Sequence, residues 1–180
     1  MNTFKPVLTE YIDQKDCHTL PFYKSIGGYT ALEKVLTMNP DEVTQEVKDS
    51  NLRGRGGAGF STGMKWGFIP KDSNKAKYLI NNADESEPGT FKDRLLMNKA
   101  PHQMLEGMII AAYAIGCNTS FIYIRGEFYQ EYKLLEQTIA EAYDNNILGQ
   151  NILGSNYSLD VVIHRGAGAY ICGEETGLLE

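Results

Sequence analysis

The fold is decided by one stretch, Tyr78–Arg125, which reads YLINNADESEPGTFKDRLLMNKAPHQMLEGMIIAAYAIGCNTSFIYIR. Apolar and β-branched runs alternate in it with longer runs of helical periodicity. The patterns predict a strand over Tyr78–Ile80, helices over Lys92–Lys99 and Pro101–Ile115, and a second strand over Phe121–Arg125. A strand, a helical crossover and another strand form the unit from which parallel α/β sheets are built. The stretch therefore predicts an α/β protein with a parallel sheet.

The same alternation continues on both sides of this stretch. Downstream, the patterns predict a helix over Tyr129–Tyr143 and a strand over Leu159–His164, as in a doubly wound layer. Upstream, residues 28–51 predict two short helices, the second capped by Asp41. We expect a Rossmann-like layered α/β domain over residues 52–180, preceded by a short helical lead-in over 1–51. The sequence stops at Glu180 in what resembles the start of a helix, so we expect a fragment of a longer protein.

Composition excludes several functional classes. The chain has 180 residues, 42% of them hydrophobic, which is typical of a folded domain with a packed core. Its net charge of -6 argues against a nucleic-acid partner, because phosphate binding requires clustered Lys and Arg. The longest apolar run, Met108–Cys117, is about half of what a membrane-spanning helix needs, so no membrane insertion is expected. The three cysteines form no CxxC unit, which favours a reducing compartment and predicts no metal site in this fragment.

The first segment that could bind a ligand is glycine-rich and runs from Arg53 to Trp66. Its small residues leave backbone N–H groups accessible, and its lysine can meet an anion, as a loop around a pyrophosphate requires. The spacing does not match a Walker loop. A flexible surface loop and an RGG-type RNA-binding tract are the alternatives. The candidate ligand-binding residues are Gly54, Arg55, Gly56, Gly57, Ala58, Gly59, Phe60, Gly63 and Lys65, with Phe68 just beyond the segment.

The second segment places four hydrogen-bonding side chains directly after the first predicted strand. They are Asn82, Asp84, Glu85 and Glu87. Polar groups at the end of a strand are what α/β proteins use to bind ligands, and these suit the edge of a polar ring or the hydroxyls of a ribose. A divalent cation site and a solvated turn are the alternatives.

The third segment follows the third predicted strand. It contains Gly166, Gly168, Tyr170, Gly173, Glu174 and Glu175. Glycines permit close backbone approach, and two glutamates at a helix start can accept hydrogen bonds from a ligand. Helix capping alone is the alternative for Glu174 and Glu175.

Taken together, the three segments resemble the N-terminal part of the NADH-oxidising flavoproteins of respiratory complex I, the NADH:quinone oxidoreductase. The resemblance extends from Gly27 to Glu180. It implies a cavity that holds FMN and NADH side by side. By this resemblance Lys65, Asn82, Asp84, Gly173 and Glu174 lie near the flavin, and the glycine loop, Phe60, Phe68, Glu87 and Glu175 bind NADH. Taken alone, either phenylalanine would be interpreted as a core residue.

The resemblance also implies a reaction and its partners. The reaction is hydride transfer from NADH to FMN, with no catalytic acid or base, followed by electron transfer through iron–sulfur clusters to a quinone. A four-iron four-sulfur cluster is expected only in the full-length protein. A two-iron cluster is expected on a neighbouring subunit, among other complex I subunits. The complex would place the chain on the cytoplasmic side of a bacterial inner membrane, peripherally, or in the matrix-equivalent compartment.

Two alternatives to complex I stay open. Similar flavoprotein modules occur in NAD-linked hydrogenases, formate dehydrogenases and electron-bifurcating enzymes. A non-catalytic assembly module that binds a nucleotide for structural reasons is the second alternative, and bound flavin in the purified protein would discriminate against it.

Overall fold

Three parallel strands form the sheet of the computed structural model, which describes residues 5–55, 57–71 and 73–172. They are β1 (Tyr78–Ala83), β2 (Thr119–Ile124) and β3 (Asp160–Arg165), hydrogen-bonded in the order β1-β2-β3. In both ladders the strands are parallel, and Phe121 of β2 pairs with Ile80 on one side and Val162 on the other. The predicted α/β class with a parallel sheet is confirmed.

The helices that connect the strands pack on one face of the sheet. The described helices of this part are α5 (Lys92–Lys99), α6 (Pro101–Ile115) and α7 (Tyr129–Asp144). α6 contacts β1 and β2, α7 contacts β3, and the two helices contact each other. The expected doubly wound arrangement is not seen in residues 73–172. The strands follow one another in chain order, so both crossover helices lie on the same side.

Buried and exposed residues alternate along the strands, as this one-sided packing requires. Ser120, Ile122 and Ile124 of β2 are fully buried against the helices. On the opposite face Tyr78 and Val162 are about half exposed, at 58% and 45%. In most α/β proteins both faces of a parallel sheet are buried. Within the described residues, this sheet instead has one open face.

The first strand is longer than the sequence predicts. The expected end is Ile80, whereas β1 continues through Asn81 and Asn82 to Ala83. The two asparagines pair with Ile122 and Tyr123 of β2. Backbone ladder bonds to a buried neighbouring strand therefore outweigh the low strand preference of asparagine. The polar segment consequently begins inside the sheet.

The lead-in consists, in its described part, of α1 (Leu20–Ser25), α2 (Thr30–Val35) and α3 (Pro40–Asp49). The predicted cap Asp41 is wrong. α3 begins at Pro40, and the backbone N–H of Asn39 donates to the Glu42 carboxylate at 2.8 Å. Proline suits the first helical position because it has no N–H to leave unpaired there. The division of the chain at residue 51 stays a prediction.

The lead-in is fixed to α6 by a buried carboxylate. Glu106, only 6% exposed, accepts hydrogen bonds from the backbone N–H groups of Tyr29 at 3.0 Å and Leu32 at 2.9 Å. The Tyr23 hydroxyl donates to the same carboxylate. Burial and this carboxylate raise the pKa of Tyr23. Glu106 thus supplies from α6 the cap that the start of α2 lacks, since Tyr29 makes no side-chain cap of its own.

No helix in the described ranges is long and apolar enough to cross a membrane.

Candidate functional site

The glycine-rich segment folds back on itself and ends in a helix. Arg53 and Ser61 form an antiparallel bridge, and the Gly54 N–H donates to the Phe60 carbonyl at 2.9 Å. The helix α4 (Thr62–Gly67) follows directly. A density of glycines this high is expected to prevent regular structure, and for the second half of the segment that expectation is wrong. There the helix is stabilised by packing on α3, which outweighs the low helix propensity of its two glycines.

A cavity of about 1130 Å³ lies between this segment and β1. Lys65 is the single charged side chain among its described lining residues. The rings of Phe60 and Phe68 are 5.9 Å apart, tilted by 48°, and 51% and 68% exposed. The predicted residues that line this larger cavity are Gly54, Gly57, Ala58, Gly59, Phe60, Lys65 and Phe68.

The walls of the larger cavity are mostly apolar or small. A Cβ added at Gly57 would meet no atom within 4 Å, so the loop borders open space at this point. Gly59 has a φ of +67°, which glycine adopts without strain. Trp66 and Tyr78 also line the cavity, although no sequence motif points to them as ligand-binding residues. The position of Trp66 at the end of the glycine-rich segment was a weak signal, and Tyr78 carried none.

A second, more polar cavity of about 580 Å³ lies at the carboxyl end of β1. This smaller cavity collects the predicted residues Arg55, Asn82, Asp84, Glu85, Glu87 and Tyr170. Ligands of open α/β sheets bind at this edge, beyond the carboxyl ends of the strands. The structure therefore brings residues of all three predicted segments together there.

Asp84 is the most buried acidic group of the smaller cavity. It is 5% exposed, and within the described residues no hydrogen bond reaches its carboxylate. Its N–H donates to Oδ1 of Asn82 at 3.2 Å, and the Cys172 thiol donates to the same oxygen at 3.2 Å. The residue lines the smaller cavity, where its carboxylate can accept a hydrogen bond from a ligand. This is the arrangement that a hydroxyl-bearing ligand would satisfy.

Cys172 has a closer relation to the site than its sequence indicates. A cysteine outside any motif is most often a buried small hydrophobe, and Cys172 is 5% exposed. It also lines the smaller cavity beside Asn82. Burial raises the pKa of its thiol, and the negative charge of Asp84 adds to the effect. A lone cysteine carries no sequence signal for such a position.

Glu85 is already engaged as a helix cap. Its two carboxylate oxygens accept from the backbone N–H groups of Asp93 at 2.7 Å and Arg94 at 2.9 Å, in the first turn of α5. Its backbone has a φ of +49°, which is uncommon outside glycine. The side chain therefore stabilises the loop that holds Asn82 and Asp84.

Glu87 and Tyr170 join two loops across the smaller cavity. The Tyr170 hydroxyl donates to the Glu87 carboxylate, which raises the pKa of Tyr170. Glu87 follows β1 and Tyr170 follows β3, and both side chains are exposed. The pair is placed to contact a ligand that lies over this edge of the sheet.

The remaining predicted residues stand elsewhere. Gly63 is buried against α3 and lines neither cavity. Gly166 and Gly168 also line neither, and the Tyr123 hydroxyl occupies the space that a side chain at Gly166 would fill. Gly56, Gly173, Glu174 and Glu175 lie outside the described residues. Within the described residues no group of three or more His, Cys, Asp or Glu converges to hold a metal ion.

Residues 47–180 match the family model described as the Nuo51 FMN-binding domain. The match covers both cavities and the whole sheet. The chain belongs to this family. The predicted flavoprotein resemblance and the FMN cofactor are confirmed at this level.

Individual relatives support the assignment to the Nuo51 FMN-binding domain family. The F subunit 2 of NADH-quinone oxidoreductase from Rhizobium meliloti (strain 1021) is 58% identical over 178 residues, which is 98% of this chain and 42% of the relative. The corresponding NADH-quinone oxidoreductase F subunit of Aquifex aeolicus (strain VF5) is 54% identical over 163 residues, or 91% of this chain and 38% of the relative. The chain thus spans about two fifths of the length of these relatives.

A solved structure is similar as well. The crystal structure of an NAD+-reducing [NiFe]-hydrogenase in the H2-reduced state matches with a TM-score of 0.71 and 35% identity. The match covers 97% of this chain and 27% of the hydrogenase chain.

Proposed function

We propose that this chain is the FMN- and NADH-binding part of an NADH dehydrogenase flavoprotein of the complex I type. The main observation in support of this function is the pair of cavities beside β1. One has apolar and aromatic walls with a single cation, and the other is lined with hydrogen-bonding groups. Their volumes, about 1130 and 580 Å³, are above and within the range of about 300–1,000 Å³ that is usual for small-molecule sites, so both have room for an organic ligand.

Lys65 suits an anionic group of the cofactor. It is the single described charge in a cavity whose other walls are mostly apolar, aromatic or glycine backbone, with Thr62 and Asn81 as neutral polar members. In a chain of net charge -6, such a local cation offsets the general repulsion of a phosphate. Lys65 would bind the phosphate or the negative charge on the reduced ring. FMN, when bound, supplies the ring that accepts a hydride from nicotinamide.

Asn82 and Asp84 suit hydroxyl and ring-edge groups. The carboxylate of Asp84 can accept from a hydroxyl, and the side-chain amide of Asn82 can donate to a ring carbonyl. The hydrogen bonds that Asn82 Oδ1 accepts fix the orientation of the amide. These residues bind and orient, and hydride transfer needs placement rather than a proton donor.

Phe60, Phe68, Glu87 and Tyr170 suit NADH. The two phenylalanine rings expose faces on which an adenine can stack. Glu87 can accept from a nucleotide hydroxyl or amide, and Tyr170 holds its carboxylate in place. The glycine loop would bring backbone N–H groups to the pyrophosphate.

We propose that in the longer protein the electrons leave the flavin through iron–sulfur clusters and pass toward quinone. These clusters are a four-iron cluster of the same chain and a two-iron cluster on a neighbouring subunit. The complex would hold the chain peripherally on the cytoplasmic side of a bacterial inner membrane. A second candidate is the corresponding module of an NAD-linked hydrogenase, which the structural similarity at a TM-score of 0.71 favours. The flavin and NADH chemistry is common to both.

The test is flavin retention in the full-length protein and its Lys65→Ala variant. A charge-assisted contact contributes about 1.5–3 kcal/mol, so the variant should bind FMN roughly 10- to 150-fold more weakly. Lys75→Ala is the matched control, since Lys75 is an exposed lysine that lines neither cavity. A purified protein that carries no flavin and takes up none would overturn the proposal in favour of a non-catalytic module. Unchanged affinity in Lys65→Ala would remove Lys65 from the site.

A further inference from the structure

The helix that carries Lys65 rests directly on the backbone of the lead-in. Gly63, in the first turn of α4, is buried against α3. A Cβ added at Gly63 would lie 2.5 Å from the Lys48 backbone nitrogen and 2.8 Å from its Cα. Real Cβ atoms essentially never come within 3.0 Å of such neighbours. Only glycine therefore allows the two helices to approach this closely.

Gly63 and Lys65 point away from each other. Two residues along an α-helix are separated by about 200° around its axis, because the helix has about 3.6 residues per turn. Gly63 faces α3, and Lys65 lines the larger cavity. Any displacement of α4 away from α3 consequently moves the lysine toward or across the cavity.

The surface on which α4 rests is itself fixed. The Tyr113 hydroxyl of α6 donates to the Met38 carbonyl at 2.6 Å, just before α3 begins. Beyond α4, Lys71 forms an ion pair with Asp41 in the first turn of α3. α4 also contacts α6, but its closest backbone approach is to α3, which therefore dominates its position relative to the sheet.

We propose that Gly63 is a positioning residue, which places Lys65 at the depth where it meets the anionic group of the cofactor. α3 serves as the template for this placement. Gly63 acts through Lys65 and does not touch the ligand. The inference rests on the proposed function, since it takes Lys65 to contact FMN, and it gives the lead-in a role in cofactor affinity.

The primary test is Gly63→Ala in the full-length protein, with FMN binding to the flavin-depleted protein followed by the quenching of flavin fluorescence. The added methyl group meets backbone atoms that cannot turn aside, so α4 must shift. We expect FMN to bind at least tenfold more weakly. Gly107→Ala is the control, because a Cβ at this position in α6 meets no atom within 4 Å, and its affinity should stay within twofold of wild type.

A double-mutant cycle separates positioning from general destabilisation. If Gly63→Ala acts through Lys65, its effect on FMN affinity should largely disappear in a Lys65→Gln background. Equal losses in both backgrounds would overturn the inference while leaving the proposed function in place. If Lys65→Gln alone leaves the affinity unchanged, the assignment of Lys65 to FMN fails, and the inference fails with it.

A gentler variant covers the case in which Gly63→Ala does not fold. A Cβ at Gly67 would lie 3.3 Å from Nζ of Lys48, the far end of a flexible side chain that can move. Gly67→Ala should therefore shift α4 less and weaken FMN binding about two- to threefold. The same cycle with Lys65→Gln applies: loss of the effect supports positioning, and additivity or no effect at all overturns it.

Discussion

Removing the carboxylate of Glu106 should release the lead-in from α6. In Glu106→Ala, the N–H groups of Tyr29 and Leu32 and the hydroxyl of Tyr23 lose their acceptor in a buried place. Each unsatisfied buried donor costs about 1–3 kcal/mol, but water reaches part of the opened site. We therefore expect a local loss of about 3–5 kcal/mol, which is less than the sum of three hydrogen bonds to a charged group at about 1.5–3 kcal/mol each. Glu106→Gln keeps one acceptor oxygen and should lose about 1–2 kcal/mol.

The assay is native-state hydrogen exchange, followed by mass spectrometry, on peptides that cover α2 in the full-length protein. A loss of 3–5 kcal/mol corresponds to exchange that is faster by roughly two to three and a half orders of magnitude, up to the limit set by global unfolding. Glu136→Ala is the control, since Glu136 is an exposed carboxylate on α7 whose contacts lie far along the chain from α2. Exchange of α2 in Glu106→Ala within threefold of wild type would refute the reasoning that Glu106 caps this helix.

Three further predictions concern the site and its support. Phe68→Ala should raise the KM for NADH about tenfold with a smaller loss of kcat. Phe91→Ala is the control and should change neither constant, because Phe91 is an equally exposed ring outside both cavities. Equal effects of the two substitutions would refute adenine stacking on Phe68. Glu87→Gln should raise the KM for NADH more than it lowers kcat, and a collapse of kcat at constant KM would contradict a binding role. Burial lowers the pKa of His102 in the folded protein. As the pH falls below about 6.5, the imidazole is therefore protonated in the unfolded chain before it is protonated in the folded one, and the free energy of unfolding decreases. Melting temperatures between pH 7 and pH 5 should therefore fall less in His102→Gln than in wild type, and equal slopes would exclude His102 as the cause.

The sequence predicted the elements that depend on local periodicity. The apolar spacing in α6 and the alternation in β2 indicated the helix and strand within two residues of their observed bounds. The predicted end of α6 at Ile115 was also correct, and the next residue, Gly116, has a φ of +70°, which suits glycine at a helix end. Where the prediction failed, a distant neighbour decided the outcome. Asn81 and Asn82 extend β1 because β2 offers ladder partners, and α4 forms in a glycine-rich segment because α3 lies beside it.

Most residues that line the two cavities were likewise visible in the sequence, because glycine loops and polar clusters are contiguous in the chain. The way in which these residues divide between the two cavities could not be predicted from the sequence. Lys65 lines the larger cavity, whereas Asn82 and Asp84 line the smaller one, although the resemblance grouped all three. Glu85, in the middle of the polar cluster, turns instead to the start of α5.

The sequence by itself determined the α/β class, the family and the three segments that supply the candidate site, because periodicity and short motifs are properties of neighbouring residues. Tertiary structure alone decided the partners of each side chain. Tyr23 meets Glu106 across 83 positions and Cys172 meets Asn82 across 90, separations over which no local pattern carries information. Gly63 illustrates the difference: its place in the motif was visible, but only the approach of Lys48 shows why a glycine stands there. Burial and close contact arise when distant segments pack, and these fix whether a residue binds a ligand, caps a helix or supports a residue that does.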